Sequence, residues 1–203
     1  MKKWIDSYIN KKIEKYIIQK EKGIEGNNNA YSITLGKYSQ IDKPFKIENG
    51  VNIYVGDNSY VGKNGWLATH LNLKPNPLIV IKNNVTIGNY AHITAVDKIE
   101  ISDGVLISDY VYISDHTHGF DPSININPLN QNLTTKGRVF IGEKCFIGYR
   151  VSILPNVTIG KNCVIGAHSV VTKDIPDNCM VAGIPAVIIK NFNFISKKWE
   201  NII

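Results

Sequence analysis

The chain has 203 residues, 43% hydrophobic and 20% charged, enough to bury one large core in a single soluble domain. It contains no apolar run of membrane-spanning length, and its three cysteines make no even disulfide framework. The formal net charge of +6 is concentrated at one end, where residues 1–22 hold seven lysines against Asp6, Glu14 and Glu21, and this argues against a nucleic-acid-binding face.

In that first segment Trp4, Tyr8, Ile13, Tyr16 and Ile17 recur at helical spacing among the lysines. The pattern predicts an amphipathic helical cap over residues 1–30 with a solvated basic face, contact with a membrane surface being the alternative use of that face. The opening residues lack the uninterrupted apolar stretch of a secretory signal, so a cytoplasmic location is expected.

Residues 31–190 follow a six-residue rhythm: an aliphatic residue, then Gly or a small polar residue, with a small side chain at the fifth place. It is clearest from Ile141, as IGEKCF, IGYRVS, ILPNVT, IGKNCV, IGAHSV and VTKDIP. The same register holds at Leu35, Ile41 and Ile47, at Val55, Val61 and Leu67, at Ile81, Ile87 and Ile93, and at Ile101, Ile107 and Ile113. The hexads come in threes, separated by Ile53 and Tyr54, by Ile99 and Glu100, or by the longer spacer Leu73 to Val80. A β-sandwich needs no fixed period of six, whereas eighteen hexad starts here are all aliphatic. The prediction is an all-β solenoid of six triangular coils, each with three short strands, around one apolar column. The Gly after each aliphatic residue is expected to take the corner torsions. Cys145 and Cys163, at fifth places, read as reduced core cysteines.

The rhythm fails once at length, between Ile113 and Ile141, where SDHTHGFDPSININPLNQNLTTKGRVF has no hexad register. An insertion over 117–139 is therefore predicted, and a loop thrown out of one coil is how a flat-sided solenoid makes a pocket. His116 and His118 stand at its root. Histidine is suited to taking and returning a proton near neutral pH, so His116 is the candidate general base, with His118 either assisting or bonding the loop backbone. Asp97 breaks the pattern differently, since a carboxylate at the fifth place of ITAVDK is costly without a partner or a task.

At these residues the chain resembles the left-handed parallel β-helix acyltransferases, in particular the branch of maltose, galactoside, nodulation-type and surface-polysaccharide O-acetyltransferases. The resemblance rests on VTIGKNCVIGAHSVVTKDIPDNCMVAGIPAVIIK with its GxPA signature at Gly183, Pro185 and Ala186, and on YISDH, which ends at His116. It implies acetyl transfer from acetyl-CoA to a carbohydrate hydroxyl, without a covalent enzyme intermediate or a metal, on a bacterial surface polysaccharide or its precursor. It also implies that His116 takes the acceptor proton and that Asp97 binds an acceptor hydroxyl. His92 stands where relatives often carry asparagine. For the cofactor, the resemblance implies a groove between subunits of a homotrimer, with backbone contacts near Gly148 and Ala167. Phe146 would form an apolar wall where relatives carry tryptophan, and Thr172, Lys173 and Lys190 would face the nucleotide end.

Three other readings compete: N-acetylation of an amino-sugar nucleotide on the same fold, a zinc hydratase of the carbonic-anhydrase kind using His92, His116 and His118, and a non-catalytic scaffold. The tail over 191–203, with Phe192, Phe194, Ile195 and Trp199, is expected to cap the far end or pack on a neighbouring subunit.

Overall fold

Each hexad folds as a strand of two to four residues and a tight corner, and three of them complete one turn of a triangular coil. The structure, a computed structural model, describes residues 32–202; the expected cap over 1–30 lies outside the described residues. The first face stacks the strands Thr34–Leu35, Ile53–Val55, Leu78–Ile81, Lys98–Ile101, Val139–Ile141 and Thr158–Ile159 in parallel. The third face stacks Lys46–Glu48, Trp66–Thr69, His92–Ala95, Tyr112–Ser114, Ser152–Ile153 and Val170–Val171 in the same way. The second face is longer, because Cys179–Gly183 adds a seventh parallel strand after Val164–Ile165. The chain then reverses at Ile184 and Pro185, within the GxPA segment. Ala186–Asn193 and Lys198–Asn201 follow as antiparallel additions to the second face. The aromatic residues of the tail meet there, with the Phe192 ring 5.1 Å from Phe194 and 5.4 Å from Trp199.

Every hexad start beyond Leu35 and Ile41 of the first coil is buried, so the aliphatic column runs through the whole interior as the rhythm requires. The two-residue insertions before Val55 and Ile101 lengthen first-face strands. Because strand side chains alternate, each insertion adds one inward residue, and Ile53, Ile79, Ile99 and Val139 stack in register as a second buried column.

The glycines do a different task from the one expected. Gly142, second in its hexad, has no positive φ, but a Cβ there would lie 2.6 Å from the carbonyl carbon of Gly160 in the next coil. It is small so that coils can approach. The left-handed torsions fall instead at the fourth place, on Asn58, Asn84 and Asn162 and also on Tyr90, Tyr110, Lys144 and Arg150. Asn tolerates this region, and the larger residues are held in it by the coils above and below.

The three cysteines are free and buried. Cys145 Sγ donates to the Gly160 carbonyl at 2.9 Å and Cys163 Sγ to that of Pro176 at 3.0 Å. Ser59 Oγ makes the same contact with Lys82 O at 2.8 Å, so these fifth places carry a small donor that satisfies a corner carbonyl.

Candidate active site

The outward side of the third face is unlike a solvated sheet surface. Sixth-place residues pair in register there as Lys46, Trp66, His92, Tyr112 and Ser152. Trp66 and His92 stack at 4.4 Å and 18°, and His92 meets Tyr112 edge-on at 5.2 Å. Lys46 Nζ lies 4.9 Å from the Trp66 ring centre, and the Trp66 indole N–H donates to Glu48 Oε2 at 3.1 Å. Burial works against the charge of Glu48, but the Lys46 ammonium and this N–H outweigh it and hold the carboxyl below its usual range.

At the other end of these strands, His70 and His116 occupy equivalent fourth places of third-face hexads two coils apart. Their rings meet edge-on at 5.5 Å. Asp115 and Ser114 hold His116. Its Nδ1 lies 3.0 Å from Asp115 Oδ1 and 3.2 Å from Ser114 Oγ, while Ser114 Oγ donates to the His116 carbonyl at 2.8 Å. Asp115 is fully buried; its Oδ1 accepts from Val96 N and its Oδ2 from Asp97 N, each at 2.8 Å. Because a carboxylate only accepts, the Nδ1 that faces it carries the proton. Nε2 is then the basic nitrogen, on a ring that lines a cavity.

The insertion covers this corner. Thr117 and Thr134 exchange backbone hydrogen bonds at 2.9 Å, Thr135 Oγ1 donates to the Asp115 carbonyl, and Gln131 ties the loop internally through Asp121 N and the Ile126 carbonyl, each at 2.8 Å. The cleft between sheet and loop, about 650 Å³, is lined by Trp66, His70, Asn72, His92, Thr94, Tyr112 and His116 on the sheet side and by Thr117, His118 and residues 129–133 on the loop side. Burial first, and then His116 nearby, hold both His70 and His92 below the ordinary imidazole value. The site therefore favours neutral imidazoles at these two positions.

The structure brings His116, His118 and His92 together around this cavity. Asp97, expected beside the acceptor, does not line it. Its carboxylate pairs with Arg138 Nε at 3.0 Å, and that contact answers the cost of placing a charge at a fifth position. None of the six residues expected to contact the cofactor lines this cavity either. Phe146 is exposed on the second face, and Gly148, at the following corner, is buried with its N–H already donated to Ile165 O at 2.9 Å. Ala167 is exposed at the equivalent corner one coil on, and Lys190 is half-buried opposite Met180. Thr172 and Lys173 are exposed at the corner beyond the third face. Among the described residues no group of three or more His, Cys, Asp or Glu side chains could hold a metal ion, so the three histidines proposed as zinc ligands form no ligand set.

Among the site residues not singled out from the sequence are His70, Trp66 and Asp115. Aligning the third-face hexads would have found two: His70 falls in the column of His116, and Trp66 in that of His92 and Tyr112. Asp115 carries no such signal, because its role depends on a corner turning its carboxylate inward.

Comparison with known proteins agrees with this architecture. The family model Bacterial transferase hexapeptide (six repeats) matches residues 138–173. The lipopolysaccharide biosynthesis O-acetyl transferase WbbJ of Escherichia coli K12 is 36% identical over 129 residues, covering 61% of this chain and 65% of its own length. A galactoside acetyltransferase in complex with coenzyme A superposes with a TM-score of 0.55 at 30% identity, covering 81% of this chain and 67% of that one. AntD, an N-acyltransferase from Bacillus cereus in complex with dTDP and 3-hydroxybutyryl-CoA, gives a TM-score of 0.65 at 26% identity, covering 78% and 82%. The chain belongs to the hexapeptide-repeat acyltransferases of the left-handed parallel β-helix fold. It spans slightly less than two thirds of the length of WbbJ.

Proposed function

We propose that this protein transfers an acetyl group from acetyl-CoA to a hydroxyl of a carbohydrate, a bacterial surface polysaccharide or its precursor. The observation that carries this reading is the buried Asp115 carboxylate holding His116 Nδ1 at 3.0 Å, with the ring facing a polar, loop-covered cavity. A sugar hydroxyl is a weak nucleophile until a base takes its proton, and an imidazole fixed in the Nδ1–H form offers Nε2 as that base. As Nε2 accepts the proton, the hydroxyl oxygen attacks the thioester carbonyl. The tetrahedral adduct then expels the CoA sulfur, which recovers the proton from the imidazolium, while Asp115 stabilises that cation. His118, exposed at the loop root, is a second polar group beside the acceptor. Asp97 belongs to this reading only as a support of the loop base through Arg138.

We place acetyl-CoA along the last coils, with Phe146, Gly148 and Ala167 beside the pantetheine and Thr172, Lys173 and Lys190 near the nucleotide. These residues lie outside the His116 cavity, an arrangement that supports a homotrimer in which a neighbouring subunit brings them to it. Use of acetyl-CoA favours the cytoplasm.

Likeness to AntD supports N-acylation as a second reading. An amine needs less help from a base, so the two readings differ in their dependence on His116. The test is thiol release from acetyl-CoA with surface-polysaccharide sugars and amino-sugar nucleotides as acceptors. Release with hydroxyl acceptors that disappears in His116→Ala is expected; release only with amines overturns the O-acetyl reading.

A further inference from the structure

A second cavity adjoins the one under the loop. It measures about 380 Å³, sits at the corner between the second and third faces, and is lined by Phe45, Asn64, Trp66, Tyr90, His92 and Tyr110. Trp66 and His92 line both cavities, so the two form one groove along the direction of the third-face strands. Each has the size of a site for a drug-sized ligand, about 300–1,000 Å³.

The wall of the second cavity is built at a backbone cost. Tyr90 and Tyr110 hold φ values of 57° and 60°, in the left-handed region that the same corner gives to Asn64, Arg150 and His168 in other coils. A bulky residue is less favourable there than Asn or Gly. In return the two phenol rings stack at 4.6 Å and 7° and stay 46% and 42% exposed. Arg150 lies 5.3 Å from the Tyr110 ring centre and fixes it from the far side. The result is a flat, half-exposed aromatic wall with the Asn64 amide beside it, a surface suited to the C–H face of a pyranose and its rim hydroxyls. Among the described residues no Asp, Glu, Lys or Arg lines either cavity, and the cations at the rim, Lys46 and Arg150, pack on the Trp66 and Tyr110 rings, so the lining offers ring faces and neutral hydrogen-bonding groups.

We infer that the acceptor is a neutral oligosaccharide of at least two rings, its acetylated ring beside His116 under the loop and its next ring against Tyr90 and Tyr110. This rests on the carbohydrate O-acetyltransferase reading. The test uses the full-length protein with acetyl-CoA and a series of galactose, galactobiose and galactotriose. Thiol release gives kcat/KM, and calorimetry gives the binding of CoA and of each sugar.

The expected result is a rise in kcat/KM of about tenfold from one ring to two. The double variant Tyr90→Ala, Tyr110→Ala should lose that rise while keeping the galactose value and CoA affinity within about twofold. The double Phe variant should restore it. Equal kcat/KM for all three sugars overturns the second subsite, as does length dependence that survives in the double Ala variant. A fall in oligomer size of that variant by light scattering also overturns it, by assigning the tyrosines to a contact between copies. Absence of thiol release with every sugar of this series and of the surface-polysaccharide panel, while CoA still binds, instead overturns the carbohydrate O-acetyltransferase reading, and the subsite with it.

Discussion

Asp115 and His116 are adjacent in the chain yet face opposite environments: the carboxylate is fully buried, accepting the N–H groups of Val96 and Asp97, while its Oδ1 lies 3.0 Å from Nδ1 of the His116 ring that lines the cavity. The bend that follows the strand Tyr112–Ser114 makes this possible by turning the Asp115 carboxylate onto the backbone of the preceding coil while leaving it in reach of the His116 ring. Asp115→Asn keeps the shape but presents an amide N–H to one of three donors. It should lower kcat by about 10- to 1,000-fold, through loss of the Nδ1–H tautomer. It should also destabilise the fold by about 1–3 kcal/mol, from an unpaired buried donor. Steady-state thiol release with a urea melt separates the two effects, and an unchanged kcat would remove Asp115 from the site.

Replacing the base itself has a narrower effect. His116→Ala should lower kcat for a hydroxyl acceptor by about 100- to 10,000-fold. The affinity for CoA measured by calorimetry should stay as in the parent.

Stability should depend on pH through His70 and His92. Both are held below the ordinary imidazole value of 6.5 by burial first and then by neighbouring imidazoles, so the folded state binds fewer protons than the unfolded chain. Their contribution is present above the unfolded value and is lost as pH falls through the folded values. Thermal midpoints should therefore drop between pH 7 and pH 5. The drop should be smaller in His70→Gln, His92→Gln, and an equal drop would show that other groups control acid sensitivity.

Coil stacking sets the tolerance of the glycines. Gly142→Ala forces a Cβ to 2.6 Å from backbone that cannot yield, and overpacking of this kind costs about 1–3 kcal/mol. Gly65→Ala, whose nearest atom would be 3.4 Å away, should cost much less. A similar loss at both sites in chemical denaturation would mean that torsional freedom, not approach distance, is what glycine supplies.

The loop base offers a control. Arg138 is two-thirds exposed, and exposed ion pairs contribute about 0–1 kcal/mol, so Arg138→Ala should leave the melting curve nearly unchanged. If Asp97 met the acceptor directly, Asp97→Ala would raise KM several-fold. With Asp97 outside the cavity, KM should instead stay close to the parent value in both variants.

Much of this architecture could be read from Ile141 onward. A hexad whose first residue must point inward repeats itself visibly, so face, coil and core follow from counting. The lost register after Ile113 marked the place of the cavity, and His116 stood at its edge. The glycines were misread because sequence shows where a residue is small but not what approaches it. Asp97 stands out in the sequence as a charge in need of a partner, but the residue it pairs with, Arg138, lies 41 positions away in the chain.

The sequence by itself determined the scaffold and the stretch of chain that carries the chemistry, because a fixed period forces identical residues into identical columns. Only the tertiary structure decided the membership of the site. His70 comes from the second coil, His92 from the third and His116 from the fourth, and they share one cavity because parallel stacking aligns columns rather than neighbours in the chain. The direction of each corner side chain, inward for Asp115 and outward for Tyr90 and Tyr110, follows from torsions and packing between coils, which composition and period do not encode.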